Sequence, residues 1–299
     1  MKKVLKFGLI AVAILLLGAG GGFGALVAMS NSKIDSTYDI PAAELQIPSD
    51  PESLKEGQRL LLARACAECH GEDLGGKMFL EGMPLANLYA PNLTGGDGSA
   101  VGAWTEGDIA RAVRHGVRPN GSALLFMPAH EFWSMPDAEM TKIIAAVRAT
   151  PKVDRPRQAC EMGPIGHVVN ALDKMPMVPA TLIDHTKERP LLTPGPTVEF
   201  GSYLGHGCAG CHGDTFSGGP IPGAPPEIPI PSNITFHESG LQKYSFEQFK
   251  TLLRTGKKVD GNDLDPFMPW KNYRHMTDDE ITSIWKFLET VDKKPYGNR

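Results

Sequence analysis

Two short stretches, Cys66-Ala-Glu-Cys69-His70 and Cys208-Ala-Gly-Cys211-His212, each hold two thiols two residues apart with an imidazole directly after the second. Four thiolates could cage a zinc ion tetrahedrally, but that leaves both histidines without a task. A thioredoxin-like dithiol needs its pair to open a helix after a strand, whereas helix-forming sequence precedes both pairs here. A disulfide across two residues closes a very small loop and stabilises little. Covalent attachment of haem uses every residue: the thiols add across two vinyl groups, and the tethered ring lies close enough for the next imidazole to bind iron. The motifs therefore predict two covalently bound haem c groups, attached through Cys66, Cys69, Cys208 and Cys211, with His70 and His212 as proximal iron ligands.

The second motif lies 142 residues after the first, and its surroundings repeat with it. "APNLTGG" at 90–96 is echoed by "PSNITFH" at 231–237, placing Asn92 opposite Asn233. "WTEGDIARAVRHG" at 104–116 lies opposite "YSFEQFKTLLRTG" at 244–256, and "FMP" recurs from Phe126 and from Phe267. A duplicated unit of about 100 residues follows. Only two methionine pairs recur. Met135 and Met276 stand just before a helix start, where Met276 can staple against Ile281. Met127 and Met268 stand in irregular loops stiffened by the following proline, and are predicted to be the distal iron ligands. His115, His130, His167, His185, His206, His237 and His275 have no aligned partner and are read as ordinary satisfied or surface histidines. Arg114 and Arg254 recur in a last helical turn, suited either to haem propionates or to the helix C-terminus. Cys160 is read as an inert thiol.

Each unit is predicted to hold three helices. The first covers 52–65 or 198–205 and contains Gly57 or Gly201, where another backbone can approach closely. The second starts at the capping boxes Thr105/Asp108 and Ser245/Gln248 and stops at Gly116 or Gly256. The third starts near Asp137 or Thr277. Residues 152–194 are read as a proline-rich connector, since 151–196 contain eight prolines, and "GPIPGAPPEIPIP" at 219–231 as a surface loop.

At the N-terminus Lys2, Lys3 and Lys6 precede 23 uncharged residues, Phe7 to Met29. That length suffices to cross a bilayer and exceeds the usual apolar core of a cleaved signal. Residues 1–30 are therefore read as a retained anchor, or else a signal, and 31–50 as a linker, with later residues on the far side of the membrane, the periplasm in a bacterium. A formal net charge of −4 and a pI near 6.1 provide no basic field for nucleic acid. A composition 41% hydrophobic and 21% charged is that of a folded protein of about two domains.

These motifs, CxxCHG followed by "APNLT", "WTEGDIARAVRHGV", Met-Pro and a final acidic-capped helix, resemble class I cytochromes c, above all the cytochrome c subunits of bacterial membrane-bound dehydrogenases. Residues 51–150 fit the pattern closely and 195–292 more loosely; those subunits carry three such motifs where this chain has two. The resemblance implies an all-α fold of two tandem cytochrome c domains, 51–151 and 195–299, with first and last helices crossed and haem edges exposed. With histidine and methionine on each iron, the expected role is single-electron transfer between a membrane dehydrogenase or quinol-oxidising complex and a soluble cytochrome or oxidase. The alternatives are a dihaem enzyme of peroxidase or thiosulfate dehydrogenase type with one substrate-accessible haem, and a zinc-stabilised binding module.

Overall fold

The computed structural model describes the backbone of every residue except 1, 176, 223 and 225, and their side chains except those of 2–5, 8–14 and 16. Helix α1 (Lys2–Ile34) comes first. The stretch expected to be an anchor, 7–29, lies partly outside the residues whose side chains are described; among the described residues no helix is long and apolar enough to cross a membrane. The C-terminal end of α1 is seated on the chain's own connector. Lys33 donates to Asn170 O (2.9 Å) and pairs with Asp173 (2.6 Å), while Asn170 Nδ2 donates to Ser30 Oγ (2.9 Å).

In the first unit α2 (Pro51–Ala63) starts from Asp50, whose carboxylate accepts the Ser53 N–H, with Pro51 in the first turn. It breaks at Ala65, a left-handed residue with φ 57°, and α3 (Cys66–His70) carries the first motif. Then come strands β1 (Lys77–Gly82) and β2 (Ala86–Ala90), helices α4 (Glu106–His115), α5 (Ala129–Phe132) and α6 (Asp137–Ala149). The connector is ordered, with β3 (Glu161–Met162), α7 (Pro164–Ala171) and a 3-10 turn at Pro179–Leu182. The second unit consists of α8 (Val198–His212), α9 (Phe246–Thr255), α10 (Trp270–Tyr273) and α11 (Asp278–Thr290), with a 3-10 turn at Leu241–Lys243.

Two expectations need correction. The fold is mostly helical but not all-α: β1 and β2 pair antiparallel and β3 adds to β2, giving the order β1-β2-β3. Among the described residues of the second unit no strand matches this hairpin, so a reading built on what repeats passes over it. The first helix of the second unit does not stop at Gly205 but runs through the motif to His212. Gly205 marks a contact, not an end, because a Cβ there would sit 2.7 Å from the Phe287 ring.

The crossing of first and last helices is set by one glycine in each unit. A Cβ on Gly57 would lie 2.0 Å from Lys142 O, and one on Gly201 1.9 Å from Ser283 O, so only a bare backbone lets α2 meet α6 and α8 meet α11. Both predicted capping boxes on α4 and α9 form, and Gly116 and Gly256 end these helices at φ 67° and 71°. The units share one core: Leu60, Met140 and Ile144 belong to the same buried cluster as Phe200, Ile281 and Leu288.

Candidate functional site

The two motifs are held by the same set of hydrogen bonds. His70 Nδ1 lies 2.9 Å from Pro91 O and His212 Nδ1 2.7 Å from Ser232 O. A carbonyl only accepts, so Nδ1 carries the proton in both rings and Nε2 keeps a free lone pair. Burial lowers the pKa of both histidines, which keeps them neutral, the form that binds a metal. A carbonyl behind Nδ1 is the usual partner that orients a ligating imidazole.

The carbonyls are themselves fixed. Beside Pro91, Asn92 is buried; its Oδ1 accepts from the Thr94 N–H and hydroxyl, both at 2.8 Å, and its Nδ2 donates to Val153 O at 2.7 Å. Beside Ser232, Asn233 repeats this with Thr235 and with Lys294 O, all at 2.8 Å. The turn after each histidine repeats as well. Leu74 and Phe216 adopt left-handed φ of 53° and 58°, and their carbonyls accept from Leu93 and Ile234 at 2.8 and 2.9 Å. Sequence reasoning aligned Asn92 with Asn233 without giving them a role; the signal was the repeated Asn-x-Thr.

None of the five cysteines is in a disulfide. Burial pushes the Cys66 thiol up to about 11 and the Cys208 thiol to about 12, and raises Cys69 and Cys211 too. Among the described residues no three His, Cys, Asp or Glu side chains converge on a metal position, so the four cysteines do not form one zinc cage. Unpaired thiols beside a neutral, oriented imidazole fit covalent haem attachment.

Met127 and Met268 are half-buried in matching loops, with their carbonyls accepting from Ala129 N–H (2.7 Å) and Trp270 N–H (2.8 Å). Met268 packs against the shared core, as do Cys66 and Cys208. Met127 follows Phe126, which is left-handed (φ 60°) and packs against Phe79 of β1. Met135 and Met276 are fully enclosed in the core, in keeping with a packing role. Arg114 and Arg254 tie helices together: Arg114 donates to Met135 O and Asp137 (both 2.6 Å), and Arg254 to Arg274 O (2.7 Å), Met276 O and Asp278 (2.8 Å). Cys160 lies against β2, with its sulfur 3.4 Å from Tyr89 N.

Residues 52–145 match the family model for subunit III of cbb3-type cytochrome c oxidase, and residues 201–292 the one for cytochrome c. Among characterised proteins, the gluconate 2-dehydrogenase cytochrome c subunit of Pantoea cypripedii is 27% identical over 278 residues, covering 81% of this chain and 60% of the relative. The fructose dehydrogenase cytochrome subunit of Gluconobacter japonicus is 32% identical over 116 residues, covering 36% and 24%. The cytochrome c subunit of the quinone alcohol dehydrogenase of Gluconobacter oxydans (strain 621H) is 24% identical over 295 residues, covering 83% and 57%. The chain thus spans at most about three fifths of the length of these relatives.

Proposed function

Because each half of this chain carries a cytochrome c domain and the chain is homologous to cytochrome c subunits of dehydrogenases, we propose that it binds two covalent haem c groups and relays single electrons from a dehydrogenase to a downstream cytochrome or oxidase. The observation that carries this reading is the duplicated hydrogen bond from His Nδ1 to a clamped carbonyl, which readies Nε2 of His70 and of His212 for iron. When bound, haem supplies one-electron Fe(II)/Fe(III) cycling. Cys66, Cys69, Cys208 and Cys211 fix its position. Met127 and Met268 provide neutral thioethers that favour the reduced state and leave no coordination position for a substrate. The apolar core packed against Cys66, Cys208 and Met268 would limit reorganisation. The units are taken as 51–151 and 195–299, joined by 152–194.

The N-terminal segment 1–30, with its lysines ahead of an uncharged run, is proposed to anchor the chain, leaving 31–50 as a linker and placing both units in the periplasm. Fractionation tests this: the full chain should sediment with membranes and resist an alkaline wash, and a chain starting at residue 31 should be released.

A haem assay on exported protein should find two haems per chain that stay with the polypeptide in acidified organic solvent. Colourless protein, or pigment that extracts, would overturn the reading. Met127→Ala and Met268→Ala should each remove half of the methionine-to-iron charge-transfer absorbance in the oxidised protein, leaving the haem count at two.

A further inference from the structure

Each motif is roofed by the other unit. Glu68, between Cys66 and Cys69, accepts from Asn272 Nδ2 at 3.1 Å, and Asn272 lies on α10, just after Met268. In the reciprocal contact, Glu131 on α5, just after Met127, lies over the second motif: a Cβ on Gly207 or Gly210 would stand 3.4 or 3.8 Å from its carboxylate oxygens. In the repeat, Asn272 corresponds to Glu131 and Gly210 to Glu68, so a pseudo-two-fold relates the two contacts.

Behind them lies a buried ion cluster. Arg64, two residues before Cys66, is 4% exposed and bridges Glu139 of α6 and Glu280 of α11, each at 2.5 Å. Tyr203 of α8 donates to Glu139 at 3.0 Å, and Arg59 reaches Glu280 (2.7 Å) and His275 O (2.8 Å). Glu139 and Glu280 are counterparts in the repeat, so one guanidinium ties together the last helices of both units. The shared apolar core already joins the units, but apolar burial is not directional and does not by itself fix one mutual orientation. A buried ionic cluster adds little net stability, but its directional hydrogen bonds admit one arrangement and penalise others.

We propose that Arg64, Glu139 and Glu280 are positioning residues that lock the two haem-attachment segments face to face as one rigid pair, so that electrons cross between the haems inside the chain. The proposal rests on the haem reading above. Tunnelling falls off exponentially with distance, so a fixed short crossing outpaces one that waits for two units to meet.

The test uses the full haem-loaded chain. Wild type should unfold in one calorimetric transition, show magnetic coupling between the oxidised irons by electron paramagnetic resonance, and equilibrate an injected electron between the haems in a single fast phase. Glu280→Gln keeps the helix cap and side-chain volume but removes the charge; it should split the transition in two, weaken the coupling and slow equilibration at least tenfold, with the methionine-to-iron band unchanged. Arg64→Lys, which keeps the charge but loses the fork, should fall between. Asn272→Asp, which sets a like charge against Glu68, should slow equilibration while haem content stays at two. Wild-type transition, coupling and equilibration in all three variants would overturn the lock. Loss of haem in wild type would instead overturn the proposed function.

Discussion

Glu280 caps α11 through Thr277 and also faces two arginines at the junction of the units. Burial works against its carboxylate, yet Arg64 and Arg59 hold its pKa below the ordinary glutamate value of 4.5. A depressed folded-state pKa contributes stability that is fully present above the unfolded value and lost as pH falls through the folded one. Thermal melting as a function of pH should therefore show a steep acid limb below about 4.5 that Glu280→Gln flattens. At neutral pH the same variant should melt lower, because Arg64 then lacks one of its two buried counter-charges. Nothing near Glu280 in the sequence announces this role, since Arg64 lies 216 positions away. Only folding brings the two together.

Caps, helix stops and the glycine crossings were legible because their chemistry is local. Thr105, Ser245 and Thr277 meet their partners three residues on, and Gly116 and Gly256 need only their own backbone angles. The two Cys-x-x-Cys-His motifs stand out in the sequence for the same reason, since their residues are near neighbours in the chain. Their supporting carbonyls at Pro91 and Ser232 were not, being 21 and 20 residues away across irregular chain. The hairpin β1–β2 was missed because periodicity alone does not tell a short apolar strand from a helix segment, and the described residues of the second unit hold no copy. The crossings lead to a sharp expectation. Gly201→Ala drives a methyl into the Ser283 carbonyl, which belongs to backbone and cannot turn aside. It should destabilise the protein by roughly 1–3 kcal/mol or more in denaturant titrations. By contrast, Gly24→Ala, where a Cβ meets nothing within 4 Å, should be neutral or slightly stabilising.

The molecule is a duplication whose halves have been finished differently. In the first unit, the loop leading to Met127 is clad by the chain itself: Val117 and Ala123 pack against Val178 and Ala180, and Phe126 donates its N–H to Met177 O at 2.9 Å while resting on Phe79. In the second unit, nearly all of the equivalent loop is open, with Val259 54% and Phe267 48% exposed. Lys257 is exposed, whereas Arg118 is half-buried and held by Ser122 and Ala123 O. Brief treatment of the native protein with a protease of broad specificity should therefore cut within 257–267 well before 117–126, with fragment masses as the readout. The wrapping also has a historical consequence. A surface that the chain has padded with its own connector is no longer free to change to suit a neighbour, whereas its bare twin can still drift, so divergence among close relatives should accumulate around 257–267 and stall around 117–126.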